Sequence, residues 1–196
     1  MPRSGAQARD RLERAALELY TEHGYDQTTI ADIAAKAGVT QRTFFRHFTD
    51  KREVLFNNEG RQQEALTQAL DGVPRTLTPV AAMLQAFRSM SPSLENNRPL
   101  AEVRHQIIAV TPALRERELM KEAALSTIVA DALRERGLAE WNATLLAHVG
   151  TTAWGHAIHT WAADPSSNVD ALIVQAFADL QDFATANTTA HPATQV

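Results

Sequence analysis

Thr28–Leu55 reads TTIADIAAKAGVTQRTFFRHFTDKREVL. Its punctuation predicts two short helices joined by a tight turn, with a third starting at once. Thr28 and Thr29 are N-cap candidates for the first helix. Ile30, Ile33, Ala34 and Ala37 recur at helical spacing, so one of its faces is apolar. Gly38 ends it, because glycine takes the left-handed conformation a helix C-terminus favours. Val39 follows as a small apolar plug, and Thr40 caps the next helix, Gln41–Phe48. A helix of about eight residues entered through Gly-Val-Thr is what a helix-turn-helix lays in the DNA major groove.

Within 41–48 the faces separate. Phe44 and Phe48 are four apart and share the core side with Val39. Gln41, Arg42, Thr43, Phe45, Arg46 and His47 are left outside or at the margin. Gln and Arg make bidentate contacts to adenine and guanine edges, and Thr or an aromatic ring meets a thymine methyl. Gln41, Arg42 and Phe45 are therefore the base-facing candidates. Thr29, Thr40, Thr43, His47 and Lys51 are the phosphate candidates.

The spaced set Thr28, Thr29, Ile33, Ala34, Ala37, Gly38, Val39, Thr40, Thr43, Phe44, Phe45, His47, Phe48, Lys51 and Leu55 resembles the DNA-binding signature of the TetR/AcrR family of bacterial transcriptional regulators. The resemblance covers residues 8 to 56. It implies an all-α fold: a three-helix DNA-binding head and a helical-bundle body for ligand binding and dimerisation. One departure stands out. The family usually carries Tyr at the position of Phe45 and uses its hydroxyl on a phosphate, which Phe45 cannot do. The run Thr43–Phe48 resembles a subgroup whose body is associated with acyl-CoA-like ligands.

Charge is divided along the chain. Residues 1–52 carry nine Lys/Arg against seven Asp/Glu, a net +2, while the rest carries ten against sixteen, a net −6. A mildly basic head on an acidic body suits a protein that meets DNA with one end. There is no cysteine, which excludes disulfides, thiolate chemistry and Cys-based zinc sites and fits a reducing cytoplasm. The N-terminus lacks the apolar stretch of a signal peptide, and no apolar run reaches the roughly 18 residues that span a bilayer. A cytoplasmic protein without membrane association is expected.

Upstream, Leu12, Ala15, Ala16, Leu19 and Tyr20 make an amphipathic helix from about Ala8 to His23, stopped by Gly24. Downstream, Asp50 caps a fourth helix expected from Lys51 to about Leu70. Lys51 in its first turn works against the helix dipole and so reads as an anion contact. Pro79 opens a helix bearing Val80, Met83, Leu84 and Phe87, another is expected over Leu94–Ala109, and Thr111-Pro112 starts a third that reaches Arg136-Gly137. Two long helices close the chain, Ala139–Ala163 and Asn168–Ala186. The expected domains are 1–56 for DNA binding, 57–187 for ligand binding and dimerisation, and 188–196 as a disordered tail.

Met83, Phe87, Met90, Arg104, Ile107, Ile108, Met120 and Trp154 are the candidates for a small-molecule effector pocket; ordinary core packing is the other reading of each. Thr151, Ile158, Trp161, Leu172, Phe177 and Leu180 are the candidates for a homodimer interface built from the last two helices. His148, His156 and His159 have no neighbouring carboxylate to complete a ligand set, so no metal is expected. No catalytic constellation and no cofactor motif appears, so enzymatic activity is not expected. The expected function is a ligand-responsive DNA-binding regulator, a homodimeric repressor of a palindromic double-stranded operator. The rival from another class is a helical carrier or enzyme without sequence-specific DNA binding.

Overall fold

The computed structural model describes residues 3–186, and every regular element among them is helical. The expected tail, 188–196, lies outside the described residues. In chain order the helices are α1 (Arg3–His23), α2 (Ile30–Lys36), α3 (Gln41–His47), α4 (Glu59–Asp71), α5 (Pro79–Ser89), α6 (Ser91–Asn96), α7 (Arg98–Val110), α8 (Pro112–Glu135), α9 (Glu140–Ala163) and α10 (Val169–Ala186), with a 3-10 turn over Glu53–Phe56. Among the described residues the chain divides into two compact units: 3–62 with 99–121, and 63–98 with 122–186.

Two expected helices come out broken. No helix runs from Lys51 to Leu70. Asp50 does cap, with Oδ1 accepting from the N–H of Arg52 at 2.7 Å and of Glu53 at 3.1 Å, but it leads into the 3-10 turn, and α4 starts only at Glu59. The expected 94–109 helix is split between α6 and α7 at Asn97. Pro99 explains this: it has no N–H to continue a helical ladder, and its ring clashes with the preceding turn. Proline is at home in the first turn of α7 instead.

The first unit is built around Leu12, Ala16, Tyr20, Ile33, Phe44 and Val54, all buried, with Ile107, Ile108 and Leu114 in the same cluster. Ile107 and Ile108, candidates for an effector pocket or for ordinary core, are buried in the unit that holds the helix-turn-helix. Arg104 is likewise committed here. It donates to Glu118 at 2.9 Å and its guanidinium lies 5.0 Å from the centre of the Phe56 ring. Arg117 takes the other position on Phe56, at 4.7 Å, and binds Glu53 at 2.8 Å and Glu59. The hydrogen bond that Arg117 donates to Glu53, opposed by burial and aided by Glu59, raises the pKa of Arg117. Met120 is 64% exposed. Its helix carries so many charges around that position that periodicity gave its facing poorly.

The second unit centres on α9 and α10, which pack along one another and against α5. Phe87 stacks on Trp154, with centroids 4.9 Å apart and planes 8° from parallel, and leans on Phe177 at 5.9 Å. Met83, Phe87, Met90 and Trp154 are all buried in this unit. Gly150 lets Met83 approach closely: a Cβ at that position would lie 2.9 Å from the Met83 sulfur. The loop between α9 and α10 is tied by Glu95 and Arg98. Glu95 Oε1 accepts the Trp161 indole N–H at 3.1 Å and the Val169 N–H at 3.0 Å. Arg98 donates to the carbonyls of Trp161, Asp164 and Ser167 at 3.4, 3.3 and 2.5 Å. One acid and one base thus satisfy backbone groups that two helix ends leave free.

Three of the expected interface residues are corrected by this packing. Thr151, Trp161 and Phe177 are buried within the second unit and offer no surface to a partner. They form the seam that joins α9 to its own neighbours, and their apolar identity gave no sign of which seam it was. Ile158, Leu172 and Leu180 are half-buried. The exposed apolar side chains of α9 lie elsewhere, at Trp141 (76%), Leu145 (54%) and Val149. Their spacing of four puts them on one face.

Candidate nucleic-acid interface

The turn between α2 and α3 is fixed by backbone chemistry. Thr29 caps α2: its Oγ1 accepts the Asp32 N–H at 3.2 Å, and the Asp32 carboxylate accepts the Thr29 N–H at 2.9 Å, closing a capping box. The hydrogen bond from the Thr29 hydroxyl, then that from its N–H, holds the Asp32 carboxyl below the usual carboxylate range. At the other end of α2, Gly38 has φ +67. Its N–H reaches Ala35 O at 3.0 Å and the Val39 N–H reaches Ala34 O at 2.9 Å, the paired bonds of a Schellman turn. Thr40 then caps α3, its Oγ1 accepting the Thr43 N–H at 3.2 Å.

These two caps leave α3 little freedom, and two aromatic rings anchor it. Phe44 is fully buried and Phe48 nearly so, their ring centres 5.6 Å apart. Gln41, Arg42, Phe45 and Arg46 are exposed on the opposite side, with Thr43 and His47 at the margin. Four of the DNA candidates, Gln41, Arg42, Thr43 and Phe45, are thus brought onto one short helix, with Thr40 at its start and His47 at its end. Burial, with Arg46 and Arg9 nearby, lowers the His47 pKa, and its Nε2 has no hydrogen-bond partner. Arg46 completes the exposed cationic surface; it was left out of the base and phosphate candidates although its i,i+4 spacing from Arg42 predicts that it shares that face.

Lys51 behaves differently from the expectation. Its Nζ donates to the carbonyl oxygens of Tyr25 at 2.7 Å and Thr28 at 2.8 Å and sits 4.3 Å from the centre of the Tyr25 ring. Tyr20 in turn donates its hydroxyl to the Lys51 carbonyl at 2.7 Å. Burial pushes the Tyr25 phenol up to about 12, so it stays protonated. The Lys51 charge is turned inward, onto the loop that delivers the α2 cap. The Lys-after-Asp pattern gave a cation near a helix start but not the tight turn that folds it back.

No helix among the described residues is long and apolar enough to cross a membrane. No group of three or more His, Asp or Glu among them is arranged to hold a metal ion.

Comparison with known proteins bears on this head and on the rest of the chain. Residues 13–57 match the model of bacterial regulatory proteins of the tetR family, and residues 77–184, just over half of the chain, match the MftR C-terminal domain. The regulator TcmR of Streptomyces glaucescens is 44% identical over 82 residues, 42% of this chain and 36% of that protein. The match to TcmR thus spans about a third of that relative. The transcriptional regulator MftR of Mycobacterium tuberculosis is 23% identical over 85% of each chain. Among solved structures, FadR of Thermus thermophilus, a TetR-family repressor in complex with lauroyl-CoA, aligns with a TM-score of 0.60 at 21% identity, over 96% of this chain and 98% of that one. SmeT, repressor of the Stenotrophomonas maltophilia multidrug efflux pump SmeDEF, aligns with a TM-score of 0.61 at 20% identity, over 90% and 89%. At these identities the structural likeness speaks for the fold. With a helix-turn-helix head matching one family model and most of the remainder matching another, the chain belongs to the tetR family of bacterial regulatory proteins and is a DNA-binding transcriptional regulator.

Proposed function

We propose that this regulator is a homodimeric repressor that binds a palindromic or near-palindromic operator and is released by a small-molecule effector. The observation that carries the DNA half is the outward face of α3, where Gln41, Arg42, Phe45 and Arg46 stand exposed on a helix anchored by Phe44 and Phe48. Residues 1–56 are the DNA-binding domain in this reading, and 57–187 bind the effector and the second subunit. Thr29, Thr40, Thr43 and His47 serve phosphates and Gln41, Arg42 and Phe45 serve bases. Lys51 acts by holding the loop before α2. Two recognition helices related by a two-fold axis require half-sites about 34–36 Å apart, or a multiple of that.

The dimer reading is supported by α9 and α10, where Trp141, Leu145, Val149, Val174 and Phe183 are exposed and apolar. The effector reading is supported by the aromatic and thioether cluster of Met83, Phe87, Met90 and Trp154, together with a buried Trp154 indole N–H that has no hydrogen-bond partner. A buried donor without an acceptor costs about 1–3 kcal/mol, and a ligand oxygen relieves that cost. FadR of Thermus thermophilus takes lauroyl-CoA, so an acyl thioester, apolar with one carbonyl, is the first effector to try. An effector releases DNA only if it favours one separation of the two heads over the other.

Selection of binding sites from random duplex DNA by the purified protein tests the reading. An enriched inverted repeat, released by an acyl-CoA, is the expected result. A folded dimer that enriches no sequence, with or without acyl-CoA, overturns it in favour of a carrier.

A further inference from the structure

Phe45 is more than half exposed on the outward face of α3, an unusual place for a ring with no polar atom. Its exposure is 55%, and it is the large apolar side chain on the outward face that Gln41, Arg42 and Arg46 share. It is also held. Its ring stands edge-on to that of Phe44, with centroids 5.6 Å apart and planes at 83°, and Phe44 is fully buried. An edge-on pair of this kind is favoured by the ring quadrupoles. The buried ring therefore fixes where the exposed one points.

We propose that Phe45 is a specificity-determining residue that reads a thymine C5-methyl group in the operator half-site. The inference rests on α3 being the recognition helix. A phenyl ring can neither donate to a phosphate oxygen nor pair with the polar atoms of a base edge. The apolar feature that base pairs present in the major groove is the thymine methyl. Arg42 and Gln41, three and four residues earlier, lie on the same face as Phe45. Their long polar side chains reach base edges beside it, and the Arg42 and Arg46 cations draw that face toward the phosphates. The half-site therefore holds a thymine next to a purine contacted by Arg42 or Gln41.

The experiment uses the full chain and the inverted repeat recovered by selection. Each thymine of the half-site is replaced in turn by deoxyuridine, in both halves together, which deletes the methyl and keeps the pairing. For the wild type, one position is expected to lose about fourfold in affinity per half-site, the worth of one methyl-sized apolar contact. In Phe45→Ala, thymine and uracil are expected to bind alike at that position, while Phe45→Leu keeps a preference. Three outcomes overturn the proposal with the function above intact: a bound repeat with no fixed thymine, indifference of the wild type to every uracil, or a uracil penalty undiminished in Phe45→Ala. If the protein selects no sequence, the reading of α3 itself falls, and this inference falls with it. Phe45 is exposed, so its variants are expected to fold; circular dichroism of each checks that.

Discussion

Lys51 Nζ lies 2.8 Å from the carbonyl oxygen of Thr28, the residue just before the N-cap of α2. A charged donor on a loop carbonyl contributes about 1.5–3 kcal/mol. Lys51→Met is therefore expected to destabilise the protein by about that amount, read by urea unfolding. At low temperature, where the variant stays folded, its DNA affinity should keep the wild-type salt dependence. A slope lower by about one would instead make Lys51 a phosphate contact.

Arg42→Ala acts on the other side of the head. It removes an exposed guanidinium that no internal carboxylate claims among the described ion pairs, so stability should change by less than about 0.5 kcal/mol. Specific DNA binding should weaken by about 1–3 kcal/mol and one base position should become degenerate in a repeated site selection. Unchanged selection would remove Arg42 from the base-reading set.

In the second unit the loop between α9 and α10 depends on Glu95. Its carboxylate accepts from Trp161, Val169 and Arg98, and Glu95→Ala leaves those donors without it. A loss of about 1–3 kcal/mol is expected. Glu95→Gln, which keeps an acceptor oxygen at nearly the same reach, should cost less. Equal losses would mean that those donors need the carboxylate's charge, not merely an acceptor at that place.

Acid should unfold the protein through the same kind of group. For Glu95 and Asp50 burial opposes ionisation, but hydrogen bonds from backbone N–H groups and from Arg98 and Arg52 outweigh it, and both carboxyls end up lowered. For Asp170 the bond from Arg88 is the main cause of the same shift, and for Asp32 it is Thr29. A folded pKa below the unfolded one means that the unfolded chain takes up protons first as pH falls. Stability should dip slightly as pH falls through about 6.5, where the lowered His47 is protonated first in the unfolded chain, and then drop further as pH falls below the unfolded carboxyl values, about 4 to 4.5. Urea midpoints at pH 7, 5, 4 and 3 check this; a midpoint that rises below pH 4 contradicts it.

Leu145→Glu tests the exposed face of α9. Leu145 is 54% exposed, so the subunit should fold unchanged. If α9 meets a second copy, two buried carboxylates per dimer are introduced without partners, and sedimentation should show monomer. A dimer of wild-type strength would move the interface away from Trp141, Leu145 and Val149.

The sequence was most legible where local rules act alone. Thr29, Gly38 and Thr40 announce a cap, a left-handed turn and a second cap, and all three perform those roles. The ends of α8, α9 and α10 fall within a residue or so of expectation for the same reason. Legibility failed where the outcome depends on which of two apolar faces meets which neighbour. Trp161 and Phe177 look like interface residues because they are large and apolar, yet they are buried among their own helices. Trp141 and Leu145 are equally apolar and exposed, and their spacing of four was the available clue. The place of Ile107 and Ile108 was illegible for another reason: residues 99–121 return to the first unit after the 36 residues 63–98, a long-range choice that no local pattern carries. The surroundings of Lys51 were not legible because a 3-10 turn, set by Asp50, stands where a helix was expected.

The pressing of the Met83 sulfur against Gly150 gives the protein a spectroscopic handle. The chain has four methionines: Met1, Met83, Met90 and Met120. Met83 and Met90 are buried in the second unit and Met120 is exposed in the first, while Met1 lies outside the described residues. Carbon-13 labelling of methionine methyl groups therefore yields a spectrum of four signals. The Met83 methyl, which lies beside the same point at Gly150 as the edge of the Phe177 ring, should be displaced by ring currents. A small molecule that enters this cluster must disturb that methyl, whereas DNA arriving at α3 need not. One labelled sample thus distinguishes the arrival of an effector from the arrival of an operator, with no tag added to the chain.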